Sequence, residues 1–233
     1  MSNSPSYDLR RQQLEEYFDR TAVDAWARLT SDEPVGRIRA TVRAGRDRMR
    51  ATLLGFLPED LTGQRVLDAG CGTGALAVCA AQRGADVVAI DLSPTLIGLA
   101  RERHVETGPG RIDFRVSDML ASSLGRFDWV IAMDSLIHYQ PADMVDMIAQ
   151  LATRAERGMA FTFAPRTPLL ALMHTVGRVF PRANRAPDLE PIAGNHLRQL
   201  ITECTSLRDF GVGRSERIDT GFYMSEALEL VRQ

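Results

Sequence analysis

The stretch Val66-Leu67-Asp68-Ala69-Gly70-Cys71-Gly72-Thr73-Gly74 decides the fold of this chain. Its apolar beginning predicts a short strand, its glycines predict a sharp turn, and the alanine-rich segment that follows predicts a helix. Glycines at such a turn let the backbone bend tightly and come close to a ligand. Because Gly70, Gly72 and Ala75 also match the dinucleotide fingerprint G-x-G-x-x-A, the glycines alone do not identify the ligand.

Strands and helices alternate from Gln64 to Phe163. The strands read as continuous apolar runs, which is typical of strands that are buried on both faces of a parallel sheet. The sequence therefore predicts an α/β fold with a Rossmann-like, doubly wound sheet. The predicted strands are Arg65–Ala69, Ala85–Asp91, Ile112–Val116, Phe127–Met133 and Gly158–Phe163, and the predicted helices are Thr73–Arg83, Ser93–Thr107 and Pro141–Thr153.

The segment before this domain is predicted to be helical, so residues 1–60 form an N-terminal helical arm and residues 61–233 form the α/β domain. Leu14, Tyr17 and Phe18 share one helical face, and a second helix is predicted to begin at Pro34. That second helix has an apolar stripe beside an arginine stripe, which favours packing against the domain with charge left for solvent or an anion. The stripes consist of Val35, Ile38, Val42, Met49 and Leu53, and of Arg39, Arg43, Arg46 and Arg50.

The strand–helix rhythm ends after Phe163. Residues 165–200 are predicted to form an acceptor-side insertion whose amphipathic helix, Leu169–Phe180, packs on the sheet edge as a lid. The tail predicts two further strands, around Ser206–Phe210 and Gly221–Met224, which would complete the sheet in antiparallel orientation.

The composition excludes several classes of protein. The chain has 233 residues, 45% of them hydrophobic and 25% charged, with a net charge of −2, so it is large enough for one cored domain with an appendage. No apolar run approaches the roughly 20 residues of a spanning helix, and the opening lacks a signal-peptide core, so we expect a cytoplasmic protein. The three cysteines have no zinc-ligand spacing and no dense basic run is present, so neither a protein-bound metal nor nucleic-acid binding is expected.

All 28 basic residues are arginines. We interpret this usage as codon bias in a GC-rich genome. The alternative is a preference for forked guanidinium groups that match carboxylates, and composition does not separate the two readings.

Three acidic residues are predicted at the strand tips around the glycine turn. Asp68 lies at the end of the first strand, where it would repel a pyrophosphate and suit a cationic group such as an ammonium. Asp91 ends the second strand, where ribose hydroxyls would bind, and Asp118 follows the third strand, close to the expected position of an adenine. This pattern favours S-adenosylmethionine (SAM) over a dinucleotide.

The segment from Gln64 to Phe163 resembles the class I methyltransferases, whose first motif is similar to Asp-Ala-Gly-Cys-Gly-Thr-Gly at 68–74. The resemblance implies a SAM site. Tyr17 would join it if the N-terminal helices fold over the cofactor, whereas a core role is the other reading of Tyr17, Phe18 and Trp26. The implied cofactor site consists of Tyr17, Asp68, Ala69, Gly70, Gly72, Gly74, Asp91, Leu92, Asp118, Met119 and Met133.

The methyl acceptor is expected beside the loop that follows the fourth strand. This loop faces the switch crevice, where the sheet order reverses and ligands bind. His138 is the only histidine predicted at a strand tip. Position alone is compatible with either a structural or a functional role for this residue.

Several blocks, in order along nearly the whole chain, resemble the magnesium-protoporphyrin IX O-methyltransferases. They are Tyr-Phe-Asp-Arg-Thr at 17–21, Val-Arg-Ala-Gly-Arg at 42–46, Met-Asp-Ser-Leu-Ile-His-Tyr at 133–139, Phe-Ala-Pro-Arg-Thr at 163–167 and Gly-Phe-Tyr-Met-Ser-Glu at 221–226. The resemblance implies methyl transfer from SAM to a propionate of the magnesium porphyrin, a step of bacteriochlorophyll and chlorophyll synthesis. Related chloroplast and cyanobacterial sequences tend to have Tyr at the position of Thr30, which puts an aromatic contact there in doubt.

The resemblance also suggests roles for residues on the acceptor side. A propionate has a pKa of about 4.3 and is already ionised at neutral pH, so no general base is required. His138 would orient the propionate or, as the second option, ligate the porphyrin magnesium. Arg43, Arg46, Arg166 and Tyr139 would bind the substrate.

Two rival functions would place different demands on the same residues. Another apolar acceptor, such as the phenol of a quinone precursor, would need His138 as a base because its pKa is about 10. An NAD-dependent oxidoreductase or a nucleotide sensor is disfavoured by Asp68. The family resemblance further suggests a hand-off from the magnesium chelatase porphyrin-binding subunit and peripheral contact with the photosynthetic membrane.

Overall fold

The fold is built on one mixed sheet in a computed structural model that describes residues 4–21, 36–104, 108–166 and 189–233. Five strands run parallel, and the two tail strands add an antiparallel edge. The strands are β1 (Arg65–Ala69), β2 (Asp86–Asp91), β3 (Arg111–Val116), β4 (Phe127–Ala132), β5 (Ala155–Phe163), β6 (Phe210–Asp219) and β7 (Met224–Arg232). Their order is β3-β2-β1-β4-β5-β7-β6, so the order reverses between β1 and β4 and a crevice opens at their carboxyl ends.

Helices cover both faces of the sheet. They are α1 (Pro5–Glu16), α2 (Arg37–Gly55), α3 (Ala75–Gln82), α4 (Pro94–Arg103), α5 (Pro141–Ala152) and α6 (Gly194–Glu203). Ser93 caps α4, because its hydroxyl accepts a hydrogen bond from the Leu96 amide at 3.2 Å, and Pro94 occupies the first turn. No helix among these described segments is long and apolar enough to cross a membrane.

Two apolar layers hold the helices to the sheet. One layer joins α1, α5 and α6 to the face that carries Leu67 and Val130. The other joins α2, α3 and α4 to the face that carries Val66 and Ile131. The strands β1, β2, β4 and β5 thus bury both of their faces, which confirms the predicted doubly wound α/β fold.

The predicted parallel strands and the helices between them are confirmed, with shifts of a few residues at their ends. The tail strands were placed wrongly. Residues 205–207 form a single 3₁₀ turn, β6 begins only at Phe210, and β7 begins at Met224, where the second predicted strand ends. Charged residues interrupt the apolar pattern of these strands in the sequence. In the fold, Arg214 pairs with the buried Glu229, and Arg217 pairs with the buried Glu226.

Two more features depart from the sequence predictions. The helix α6 was missed, although Leu197 and Ile201 are buried at the i, i+4 spacing of one helical face. In α2, Met49 and Leu53 are fully buried as predicted, but Ile38 is 57% exposed, so the apolar stripe packs only along its carboxyl-terminal part. The predicted helix Leu169–Phe180, Trp26 and Thr30 lie outside the described residues.

Candidate active site

The glycine turn follows β1 with left-handed backbone at three positions. Gly70, Gly72 and Gly74 have φ angles of 84°, 55° and 82°, a region that residues with a Cβ rarely adopt. A Cβ on Gly70 would also clash with Ser135, and a Cβ on Gly74 would lie 2.6 Å from Phe114 Cε1. At Gly72 the space is open. The first and third glycines therefore serve packing, whereas the middle one leaves room for a ligand.

A cleft of about 790 Å³ opens beside this turn, at the carboxyl ends of β1, β2 and β4. Most of the residues predicted for a site contribute to its lining. Those residues are Arg43, Arg46, Asp68, Gly70, Gly72, Asp91, Leu92, Asp118, Met119, Met133, His138 and Tyr139.

The remaining predicted residues lie elsewhere. Ala69 is buried in the core and Gly74 packs against Phe114. Tyr17 stands behind the lining, with its ring 5.2 Å from that of Phe18, which does line the cleft. Arg166 has an exposed side chain, and its amide donates to the Ile192 carbonyl at 3.0 Å. The structure therefore does not bring these four into the cleft wall.

Asp68 is an anionic group in an unusual setting. The residue is 1% exposed, and its Oδ2 has no hydrogen-bond partner among the residues that the structure describes. Burial and the nearby charge of Asp91 raise the pKa of Asp68 to about 7, although the Ala77 amide and Arg50 act in the opposite direction. A buried carboxylate with one unpartnered oxygen in a cleft wall fits a cationic ligand group, which would complete its hydrogen bonding.

Asp91 ties the glycine turn to the next strand. Its Oδ2 accepts from the Gly72 amide at 2.9 Å, and its Oδ1 accepts from the Ser93 amide at 3.0 Å. Burial raises the pKa of Asp91, and these amide hydrogen bonds lower it. The carboxylate therefore holds the turn in shape while it also lines the cleft.

The N-terminal helix reaches the third acidic residue. Asp118 Oδ1 accepts from the Tyr7 hydroxyl at 2.6 Å and from the Leu120 amide at 2.8 Å, and Arg11 Nε lies 3.5 Å from Oδ2. The Tyr7 ring stacks on Tyr139 with 5.3 Å between centroids. Sequence reasoning missed Tyr7 and Arg11, because no motif marks them and only the fold brings α1 across the cleft.

His138 also lines the cleft, and it lies in a 3₁₀ turn over Leu136–His138. It is 7% exposed, and its ring meets the edge of Phe18 at 5.8 Å between centroids. The arginines of α2 face the same space, since Arg43, Arg46 and Arg50 all line it. The cleft therefore has the Asp68 carboxylate in its wall and three arginines on α2, of which Arg50 pairs with Asp47 of the same helix.

Asp134 is a further lining residue that sequence reasoning did not assign. Its Oδ2 lies 2.8 Å from Arg46 Nη1. Asp134 is part of the motif at 133–139 that resembles the family. In the sequence alone, however, a single aspartate in a loop cannot be distinguished from an ordinary surface residue.

Comparison with known proteins agrees with this arrangement. Residues 132–232 match the family model "Magnesium-protoporphyrin IX methyltransferase C-terminus", and residues 66–158 match the model "Methyltransferase domain". The chain is 47% identical to the magnesium-protoporphyrin O-methyltransferase of Rhodobacter capsulatus over 220 residues, which cover 94% of this chain and 95% of that protein. It is 32% identical to the enzyme of the same name from Synechocystis, with the same coverage.

A solved structure is also similar. The crystal structure of magnesium protoporphyrin IX methyltransferase (ChlM) from Synechocystis with bound SAH superposes with a TM-score of 0.82 at 30% identity, covering 95% of this chain and 99% of that one. The similarity thus extends over both the cleft and the sheet. The chain belongs to the family of magnesium-protoporphyrin O-methyltransferases.

Proposed function

We propose that this protein transfers the methyl group of SAM to a propionate carboxylate of magnesium protoporphyrin IX and releases the monomethyl ester. The observation that carries the proposal is that a single cleft contains both a group suited to a cationic methyl donor and groups suited to an anionic methyl acceptor. Asp68, whose Oδ2 has no hydrogen-bond partner among the described residues, suits a cationic donor, and the α2 arginines suit an anionic acceptor. The names of the relatives above support the same reaction.

The residues around the glycine turn fit SAM. When bound, SAM supplies an electrophilic methyl group on a sulfonium. The Asp68 carboxylate would bind the ammonium of the donor, Asp91 would accept from ribose hydroxyls, and Asp118 with Met119 would border the adenine. Leu92, Met133 and the open face of Gly72 would complete the wall. Ala69 and Gly74 support this wall from behind.

On the acceptor side, the chain needs to position a nucleophile and not to activate it. A propionate is ionised at neutral pH, so its oxygen can attack once it is held in line with the methyl group at roughly 3–3.5 Å. We assign the orientation of this carboxylate to His138, and its charge recognition to Arg43 and Arg46. Tyr139 completes the acceptor wall. Arg166, at the start of the insertion, lies outside the described cleft wall, and its binding to a propionate stays a prediction.

The segments around the cleft would exclude water from the reacting groups. We propose residues 1–60 as a lid on a methyltransferase domain formed by residues 61–233, with residues 165–200 as its acceptor-side insertion. Two contacts support the lid. The Tyr7 hydroxyl binds Asp118, and Asp19 Oδ1 accepts from the Thr95 hydroxyl at 2.7 Å. Phe18 lines the cleft and its ring contacts that of Tyr17, so closure of the lid would bring Tyr17 closer to SAM.

We also propose that the acceptor arrives from the magnesium chelatase porphyrin-binding subunit, with peripheral membrane contact by this protein. An apolar macrocycle has low solubility in water, so direct transfer avoids its release. Ile38 is 57% exposed and Phe222 is 56% exposed, and Arg39 lies next to Ile38 in sequence. Such apolar groups beside arginines suit an anionic lipid surface.

The reaction is tested by incubating the purified protein with methyl-labelled SAM and three acceptors. These are magnesium protoporphyrin IX, metal-free protoporphyrin IX and a quinone-precursor phenol. Label is expected in a base-labile monomethyl ester of the magnesium porphyrin. Transfer to the phenol alone, or no transfer with a folded and SAM-binding protein, would refute the proposal.

A further inference from the structure

Asp134 stands where β4 ends, in a backbone conformation that is unusual for its residue type. Its φ of 55° makes it the sole positive-φ residue other than glycine within the described ranges. Aspartate tolerates this region better than most residues, but the conformation remains uncommon for any residue other than glycine. Such a conformation persists where surrounding contacts hold it in place, so these contacts show what the residue does.

Four side chains from three parts of the fold surround the Asp134 carboxylate. The Tyr223 hydroxyl lies 3.1 Å from Oδ1, and the hydroxyls of Thr162 and Ser225 each lie 3.3 Å from the same oxygen. Arg46 Nη1 donates to Oδ2 at 2.8 Å. The Asp134 amide is also fixed, since it donates to Thr162 Oγ1 at 2.7 Å. The side chain is 7% exposed, so the network is almost closed to water.

The hydroxyl donors of this network keep their protons at neutral pH. Burial and the charge of Asp134 raise the pKa of the Tyr223 hydroxyl. It therefore remains a donor, as the hydroxyls of Thr162 and Ser225 do. The Asp134 carboxylate is thus held as a hydrogen-bond acceptor, and its direction is fixed by β5 and by the residues around the start of β7.

The backbone that carries Arg46 is fixed against the same structure. A Cβ on Gly45 would lie 2.6 Å from Tyr223 Cδ1, so glycine lets α2 pack directly on that ring. One turn away, the Thr220 hydroxyl lies 3.2 Å from the Thr41 carbonyl. Both the backbone and the head group of Arg46 are therefore placed by contacts outside its own helix.

Asp134 and Arg46 also both line the cleft. An acceptor carboxylate that enters there comes near the charge of Asp134, and two like charges at close range repel each other. Arg46, with five N–H donors on a rigid plane, neutralises that charge and suits a carboxylate. A carboxylate so near an anionic acceptor would be unfavourable unless it served to hold the arginine.

We propose that Asp134 is a positioning residue, which acts through Arg46 to present its guanidinium to the acceptor carboxylate. This inference rests on the proposed function and deepens it, because it names the residue that makes the site selective for an anionic acceptor. Asp134 is no general base in this scheme, since the acceptor is already ionised and the Asp134 oxygens are engaged by donors.

The test is a double-mutant cycle with Asp134→Asn and Arg46→Gln. Asparagine keeps the tolerance for positive φ and removes only the charge. Asp134→Asn is expected to raise the KM for magnesium protoporphyrin IX by about 3- to 20-fold, with the Kd for SAM unchanged within about twofold. Arg46→Gln should raise KM further, because it leaves Asp134 unpaired and repulsive. The double variant is expected to have a lower KM than Arg46→Gln alone.

The control is Glu226→Gln, which removes another buried carboxylate paired with an arginine, Arg217, away from the cleft lining. It should lower the melting temperature and leave the KM for the porphyrin unchanged. If Asp134→Asn does not fold, Tyr223→Phe removes one donor from the network and should raise the same KM less strongly. An unchanged KM in folded Asp134→Asn, or additive effects in the double variant, would overturn the inference while wild-type turnover still supports the proposed function.

Discussion

The Tyr7 hydroxyl donates to Asp118 Oδ1 across 2.6 Å and thereby fastens the N-terminal helix to the cleft. The two residues are 111 positions apart, and Asp118 Oδ1 also accepts from the Leu120 amide at 2.8 Å. One carboxylate thus links the predicted adenine side of the cleft to α1. Opening this side of the cleft then requires the contact to break.

Tyr7→Phe tests whether the contact between Tyr7 and Asp118 slows the dissociation of SAM. The variant keeps the ring that stacks on Tyr139 and loses only the hydroxyl. Loss of a hydrogen bond to a charged group costs about 1.5–3 kcal/mol. The share of this cost that weakens the SAM complex should speed SAM dissociation about 3- to 30-fold. Stopped-flow fluorescence measures that rate. Leu9→Ala, on the exposed side of the same helix, is the control, and equal rates for both variants would contradict a retaining role.

Asp91→Ala tests the cofactor side. The substitution removes the acceptor for the Gly72 and Ser93 amides, which shape the turn, together with any contact to the ligand. The Kd for SAM should rise at least about 100-fold, whereas porphyrin binding should change by less than about threefold. Calorimetric titrations with each ligand measure the two effects. Asp86→Ala, at the other end of the same strand, should change neither, and equal losses for both ligands from Asp91→Ala would contradict the assignment.

Asp68 predicts a pH dependence of SAM binding. Its pKa is raised to about 7 by burial and by Asp91, and only the ionised form attracts an ammonium. Affinity for SAM should therefore fall as the pH drops below about 7, approaching tenfold per pH unit. Titrations between about pH 5.5 and 7.5 measure this slope. A flat profile would mean that Asp68 is ionised throughout or does not bind the donor.

The raised pKa of Asp68 also predicts how the stability of the ligand-free protein depends on pH. Because the folded-state pKa of Asp68 lies above the ordinary value of 3.8, the folded state binds more protons than the unfolded state between about pH 4 and 7. This contribution to stability is present at low pH and is lost as the pH rises through that window. Asp68→Asn should therefore raise the melting temperature relative to the wild type at pH 8, with a smaller difference at pH 5. A constant difference would argue against the raised pKa.

The elements that could be predicted are those whose local sequence pattern alone determines their structure. The apolar run at 65–69 becomes β1 with the predicted bounds, because a strand buried on both faces needs a continuous apolar sequence. The Gly70 turn was readable since positive φ at a strand–helix junction requires glycine. Asp68 and Asp91 meet at the cleft because parallel strands end at one edge.

The unpredicted part depends on contacts between residues far apart in sequence. Tyr7 and Asp134 have no local signature, and their roles arise from partners more than 80 positions away, Asp118 and Arg46. Strand β7 was misplaced because Glu226 and Glu229 look like surface residues until arginines from the neighbouring strand pair with them. Pairing across strands is tertiary information, which a single sequence does not display.

His138→Ala tests the acceptor side. The histidine lies buried against the cleft with its ring near Phe18, at the tip of the loop where the acceptor carboxylate would meet the donor. Removal of one hydrogen bond to a charged nucleophile should lower kcat about 10- to 100-fold, with the Kd for SAM nearly unchanged. His196→Ala removes an exposed histidine on α6 and should leave both values unchanged.

The pH profile then distinguishes orientation from base catalysis. At saturating SAM, an acceptor that is ionised above about pH 5 gives a rate that does not rise between pH 6 and 7. A required neutral histidine gives a rise in that interval, which the His138→Ala variant would lose. A flat wild-type profile with reduced turnover in the variant therefore assigns His138 to positioning the carboxylate. A rise that disappears with the imidazole would instead make it the base, and the acceptor would then be a group that must lose a proton before it attacks.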